Sequence, residues 1–451
     1  MKYFSPKRTT LLFLLFATLL TLVPASLQAA LAFQTSVDRE DAIYKQGEPA
    51  TFTIRLHNPN NTPAIGESFN YNITQDGHHT IESGKHTVDS KPLVLTATLD
   101  KPGIIRLELA YTPKDKSQKK LFKRVAAAFD PHLITASLPE PDDFKAFWAA
   151  KRKLVEETPL NAKLTPVKNS NQTIEIFDVQ ADTPSYFNGK QIPLSGYFAR
   201  PKNAKPKSLP AIITPHSAGV RSSNVNNTIK WSTQNFLIID FNAHGLPNGK
   251  PHAFYQDQNK TTLKSYPAKG KTDRDQSYFT NMLIRQLAAL KFIKSQPEWD
   301  GKTLIVLGSS QGGGQAFAAA GVDPDITMMC ASVPAMSDHT AYEAGRMVGW
   351  PRLLGWTSPK TKDETYKKTL EASRYVDAVN FARHIKAKAI VSVGLIDHVC
   401  CPSSVYAAFN TIPHKNKTLH AIPDMGHNFP RPLQDQFDEA ILKHVKDMQT
   451  N

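Results

Sequence analysis

The chain has 451 residues, 40% of them hydrophobic, and a formal charge of +14. That much apolar material excludes disorder for the whole and is enough for a full enzyme core with room for a second domain. Cys330, Cys400 and Cys401 are too few for a disulfide scaffold and allow at most one internal bridge; they lack zinc-site spacing, so a packing role is expected.

At the N-terminus Lys2, Lys7 and Arg8 precede an apolar run from Leu11 to Val23, and small residues follow around Ala25 to Ala32. This is the pattern of a secretory signal peptide over residues 1–32, cleaved at Ala30-Leu31-Ala32 or after Ala29. The run is shorter than the roughly 20 residues a membrane span needs, and Pro24 closes it, so no stable membrane insertion is expected after cleavage. Export to the periplasm or the medium is the expectation. Removing Lys2, Lys7 and Arg8 lowers the charge from +14 to +11. A basic surface favours anionic partners, but no zinc-finger spacing, RNP-like strand or helix-turn-helix pattern supports a nucleic-acid partner.

From Phe33 to about Asp130 short alternating stretches, Ala50–Leu56, Phe69–Thr74, Leu93–Leu99 and Ile104–Tyr111, are separated by turns such as Asn58-Pro59-Asn60-Asn61 and Pro102-Gly103. They predict a small immunoglobulin-like β-sandwich over residues 33–130. The lysine-rich stretch Lys114–Arg124 is expected to be a solvated hairpin tip. At Pro141-Asp142-Asp143-Phe144 an amphipathic helix begins, with Phe144, Phe147, Trp148 and Leu154 on one face and the two aspartates near its positive end. This opens a second domain, residues 131–451.

Beyond residue 170 continuous apolar runs appear: Ala211–Thr214, Phe236–Ile239, Leu304–Leu307, Ile326–Val333 and Ala389–Val393. Such strands are buried on both faces, which predicts a doubly wound, mostly parallel α/β domain. Tyr278 to Leu290 repeats at helical spacing and covers it. The segment Ser337–Lys388, with Trp350, Trp356 and Tyr366, is too long for a simple crossover and is expected to form helices that cap the C-terminal edge of the sheet.

Gly308-Ser309-Ser310-Gln311-Gly312 lies between a strand and a small-residue helix. Strand, G-x-S-x-G and helix in that order make a nucleophile elbow, whose tight turn needs small residues two before and two after the serine. An acid and a base are required downstream, each just past a strand: Asp397 follows Ile390–Ile396, and His427 follows Leu419–Gly426. Asp338 competes for the acid, and His414 and His420 for the base; Asp397 and His427 are preferred, His420 being expected within a strand. An oxyanion hole needs one N–H from Gln311 and one from His216-Ser217-Ala218-Gly219, with Ala218 preferred to Ser217. His216 is expected to pack or hydrogen-bond locally.

Together these motifs resemble the acetyl xylan esterase and cephalosporin C deacetylase family, carbohydrate esterase family 7, over most of residues 140–445. The resemblance rests on Pro141 to Trp148, on Gly308 to Gly314, on Val379-Asn380-Phe381-Ala382, and above all on Ser392 to Asp397 continuing through Cys400 and Pro402 to Asn410. It implies an α/β-hydrolase with Ser310 as nucleophile, Asp397 as acid, His427 as base and backbone donors at Gln311 and Ala218. It also implies acetate release from acetylated xylo-oligosaccharides, with no cofactor and no metal. The chain departs from the family at Asn242-Ala243-His244, where an Arg-Gly-Gln signature stands, and at His427-Asn428, where His-Glu is usual, so assembly and substrate preference are not carried over. The alternatives are a peptidase of the prolyl oligopeptidase type and a non-catalytic carbohydrate-binding protein that adheres through the β-domain and the cap aromatics; Trp350 and Trp356 could stack on sugar rings there, although core or cap packing is the expected role of each.

Overall fold

The computed structural model describes residues 31–358 and 361–450. Residues 1–30 of the expected signal peptide lie outside them; Leu31 packs on the first domain's core and Ala32 opens its first strand. No helix among the described residues is long and apolar enough to cross a membrane.

The first domain consists of two sheets. Ala32–Val37, Ala50–His57 and Leu93–Ala97 form one. Ile43–Tyr44, Leu121–Phe129, Gly103–Tyr111, Ser68–Gln75 and His79–Thr87 form the other, in that spatial order. Alternation builds the sandwich: Ala50, Phe52, Ile54 and Leu56 turn inward, while Thr51, Thr53 and Arg55 do not. The inward set meets Phe69, Ile73, Leu95, Ile105, Leu107 and Leu109. The lysine-rich tip is shorter than expected, because Tyr111 pairs with Leu121 and the strand already includes Leu121 to Arg124. Arg124 pairs with Glu108 at 2.8 Å, and its Nη1 lies 3.4 Å from His398 Nδ1 in the second domain.

The outer face of the larger sheet is covered. Ile104, Ala126 and Ala128 are buried there and join the core of the second domain. Asp76 is buried at the same junction; its Oδ1 accepts from the Ile104 N–H at 2.9 Å, and its carbonyl accepts from the Met347 N–H at 3.2 Å. Burial, only partly offset by the Ile104 N–H and by Arg346, pushes the carboxyl up to about 6. A raised native value means the stability it contributes is present at low pH and lost as pH rises through about 6. Asp76→Asn is therefore expected to raise the melting temperature at about pH 8 and leave it unchanged at about pH 4. Thermal melts at both pH values check this; a lower melting temperature at the higher pH would mean that the charge itself is needed.

The second domain is built on nine strands. In spatial order they are Lys163–Pro166, Ile174–Ala181, Leu194–Pro201, Leu237–Phe241, Leu209–Pro215, Trp299–Ser309, Met328–Ser332, Lys388–Gly394 and Lys417–Ile422. The first three pair antiparallel, and the last six run parallel to one another. Successive residues feed opposite faces. Ala211 and Ile213 face the helices Tyr278–Lys294 and Gln311–Val322, whereas Ile212 joins Trp231, Phe437 and Ile441 of the helices Val225–Ser232 and Arg431–Thr450. Two covered faces explain the continuous apolar runs. The domain is an α/β-hydrolase fold preceded by the sandwich.

The helix Phe144–Glu157 buries Phe144, Phe147, Trp148 and Val155. Leu154, expected on that face, is exposed instead. At 100° per residue Val155 falls in line with Phe144 and Trp148, and Leu154 is carried to the edge. Ser337–Lys388 also differs from expectation: among its described residues it is helical only at Glu364–Ser373 and Ala378–Ala382, with short 3₁₀ turns at Ala341–Ala344 and Arg374–Val376. Gly345, Gly349, Pro351 and Gly355 interrupt any helix between 345 and 358.

Candidate active site

Ser310 stands between the strand Trp299–Ser309 and the helix Gln311–Val322 at φ 57°, ψ −121°. A non-glycine residue held there costs about 1–3 kcal/mol, which the surrounding contacts must over-determine. The flanking glycines show how. A Cβ on Gly308 would sit 2.1 Å from the Gly312 carbonyl oxygen, and one on Gly312 would sit 2.4 Å from that of Pro215. Only glycine permits this approach.

The expected partners converge on the serine. His427 Nε2 lies 2.9 Å from Ser310 Oγ, and its Nδ1 lies 2.8 Å from Asp397 Oδ2. The second Asp397 oxygen accepts from the N–H groups of Val399 at 2.7 Å and Cys400 at 3.0 Å. Asp397 is buried, whereas the His427 side chain keeps 23% of its surface open. The competitors lie elsewhere. Asp338 accepts from Ser137 and pairs with Arg346 at 2.7 Å; His420 sits in the strand Lys417–Ile422 against Phe437; and neither His414 ring nitrogen has a partner among the described residues. His216 is buried and bonds Asp240 at 2.6 Å, as local hydrogen bonding predicts. Burial would raise Asp240, but His216 and the groups of Asn224 and Asn227 outweigh it and hold the carboxyl low.

The loop proposed to complete an oxyanion hole is held by its carbonyls. The Ser217 hydroxyl donates to the Ser309 carbonyl at 2.7 Å, tying the loop to the elbow. His216 O accepts from Gln315 Nε2 at 3.0 Å, Ser217 O and Ala218 O from Arg221 at 3.4 and 3.0 Å, and Gly219 O from His244 Nε2 at 3.3 Å. Burial lowers His244 to about 3, so the ring is neutral; because a carbonyl can only accept, the bond to Gly219 O puts the one ring proton on Nε2, and Nδ1 then faces the Tyr278 hydroxyl at 2.7 Å as an acceptor. No carbonyl or side chain among the described residues engages the N–H of Ala218 or of Gln311. Arg221, Gln315 and His244 carried no catalytic signal in the sequence. His244 stood out only as a departure from a family signature.

Asp397, Cys400 and His427 bring ligand atoms within 4.8 Å of one another. This donor set suits a triad better than a cation: both His427 nitrogens are committed, and burial pushes the Cys400 thiol well up, keeping it protonated. Cys330 and Cys401 are also buried and free, consistent with packing.

The elbow, its position at the C-terminal edge of a doubly wound sheet and the chain order of serine, aspartate and histidine place the molecule among the α/β-hydrolases. The family model for acetyl xylan esterase (AXE1) matches residues 134–446, and the chain belongs to that family. A curated relative, the acetyl esterase Axe7A of Xylanibacter ruminicola, is 27% identical over 434 residues, covering 92% of this chain and 93% of its own. Among solved structures, the acetyl xylan esterase of Paenibacillus sp. R4 superposes with a TM-score of 0.59 at 24% identity, over 69% of this chain and 98% of its own. Acetyl xylan esterase 1 of Thermoanaerobacterium sp. JW/SL YS485 gives 0.57 at 23%, over 69% and 97%. The two structures agree in fold. Family membership makes the chain a carboxylic ester hydrolase of a serine hydrolase family, a carbohydrate esterase, and sets aside the peptidase and the non-catalytic binding protein.

Proposed function

We propose that the chain is an exported esterase that removes acetyl groups from xylan or xylo-oligosaccharides through an acyl-enzyme on Ser310. The observation that carries this reading is the continuous line from Asp397 through His427 to Ser310 Oγ, at 2.8 and 2.9 Å. His427 Nε2 takes the hydroxyl proton as Oγ attacks the acetyl carbonyl. The oxyanion forms against the N–H groups of Gln311 and Ala218, each such donor supplying about 3 kcal/mol. The imidazolium, stabilised by Asp397, returns the proton to the departing sugar hydroxyl. Water then gives a proton to His427 and attacks the acetyl carbonyl, and as the bond to Oγ breaks His427 returns that proton to Ser310, releasing acetate and the free enzyme. Every step uses groups of the chain and water, so none calls for a cofactor.

Export is read from Lys2, Lys7, Arg8 and the run Leu11–Val23; finding the chain in the cytoplasm of its host would refute it. The substrate reading is tested by measuring acetate released from acetylated xylan, acetylated monosaccharides and cephalosporin C, beside 4-nitrophenyl esters of increasing acyl length. Highest kcat/KM on acetylated xylan or its oligosaccharides, with a steep fall beyond acetyl, is expected. Preference for a long acyl chain would overturn it.

A further inference from the structure

At 76% exposed, Trp356 is the most exposed large apolar side chain among the described residues. It stands on a strap that is tied down along its length. Trp350 donates its N–H to Val399 O at 2.7 Å and accepts at its own carbonyl from the Met336 N–H at 3.0 Å. Its ring meets Phe279 edge-on at 5.6 Å. Lys271 Nζ donates to Leu353 O at 3.0 Å. The N–H of Gly355 closes a turn on Arg352 O at 2.8 Å, and the Tyr342 hydroxyl donates to Gly355 O at 3.4 Å. The strap therefore runs from the loop that carries Asp397 to the loop before the helix Tyr278–Lys294, and Trp356 follows its last fixed turn.

Arg352 sets the indole itself. Its guanidinium lies 4.4 Å from the Trp356 ring centroid, and its Nη2 donates to His398 O at 2.6 Å, the residue after Asp397. One face of the indole is thus backed by an anchored cation. The other face meets no aromatic ring or cation among the described residues. A large flat apolar surface, ordered by its own turn and left open to water, is costly unless something covers it. A pyranose ring has a flat face of C–H groups with hydroxyls at its rim, and so matches an indole backed by a cation that is anchored to the loop carrying Asp397.

We propose that Trp356 is a stacking platform for a sugar ring of the polysaccharide whose acetyl group is presented to Ser310, with Arg352 as the residue that positions it. This rests on the acetyl-carbohydrate reading and extends it: the enzyme grips the chain away from the ester that it cleaves. Trp356→Ala removes a largely exposed side chain and its contact with Arg352, while the bond from Arg352 to His398 O does not involve the indole, so the fold and the triad should survive. With acetylated xylo-oligosaccharides, kcat/KM is expected to fall about tenfold, mainly through KM. Hydrolysis of 4-nitrophenyl acetate, which offers no sugar ring to stack, should not change. Trp356→Tyr should recover most of the loss, and Arg352→Ala should show a smaller loss of the same kind.

Binding of unacetylated xylohexaose to the Ser310→Ala protein, followed by calorimetry with and without Trp356→Ala, reads the platform independently of ester chemistry. Weaker binding in the double variant supports the platform, and equal binding overturns it. An equal fall on oligosaccharide and on 4-nitrophenyl acetate would also overturn it. If the wild type releases no acetate from the oligosaccharides while cleaving 4-nitrophenyl acetate, it is the substrate reading that fails.

Discussion

Ser310→Ala should lower kcat on 4-nitrophenyl acetate by at least about 10⁴-fold, leaving a remnant from the oxyanion donors and from binding. Only Oγ is removed. The backbone at φ 57° is as acceptable to alanine as to serine, and the contacts that impose it, Gly308 on Gly312 and Gly312 on Pro215, involve no atom of the deleted group. Stability should therefore stay close to wild type, which separates lost chemistry from lost fold. The wild type should also show a burst of nitrophenol and, after rapid acid quench, an intact mass carrying one acetyl group. The variant should show neither. Wild-type turnover by the variant would mean that another nucleophile carries the reaction.

The parts of the molecule legible in the sequence are those in which one physical demand acts on adjacent residues. Ala211, Ile212 and Ile213 form an unbroken apolar run because alternate residues enter two separate cores. Gly308 and Gly312 flank Ser310 because the turn tolerates no Cβ there. Ile174–Ala181 is less legible: it lies on the antiparallel side, where Glu175, Asp178 and Gln180 break the apolar pattern. The strap of residues 345–358 leaves no local pattern, because its order comes from hydrogen bonds to Val399, His398 and Lys271, distant in sequence. The same holds for Arg221, His244 and Gln315. Each was visible as a residue, but its target carbonyl in His216–Gly219 is fixed only by the fold.

Asp397→Asn is expected to cost about 10⁴-fold in kcat, with little change in KM. The reason lies in the two carboxylate oxygens. Oδ1 already serves the N–H groups of Val399 and Cys400, so an asparagine must keep its carbonyl there to avoid facing those donors with its amide nitrogen. Its NH₂ then points at His427 Nδ1, where the carboxylate had accepted a hydrogen bond at 2.8 Å. To receive that bond, Nδ1 must give up its hydrogen, and the neutral ring carries it on Nε2 instead. Nε2 lies 2.9 Å from Ser310 Oγ; protonated, it donates to the serine and can no longer take the serine proton. Asp338→Asn is the matched control, because that carboxylate bonds Ser137 and Arg346 and not His427; it should cost stability and leave kcat near wild type. Steady-state kinetics of both variants, with thermal melts, decide between the two acids. A kcat for Asp397→Asn within about tenfold of wild type would move the catalytic acid elsewhere, since a histidine locked in the wrong tautomer cannot act as a base.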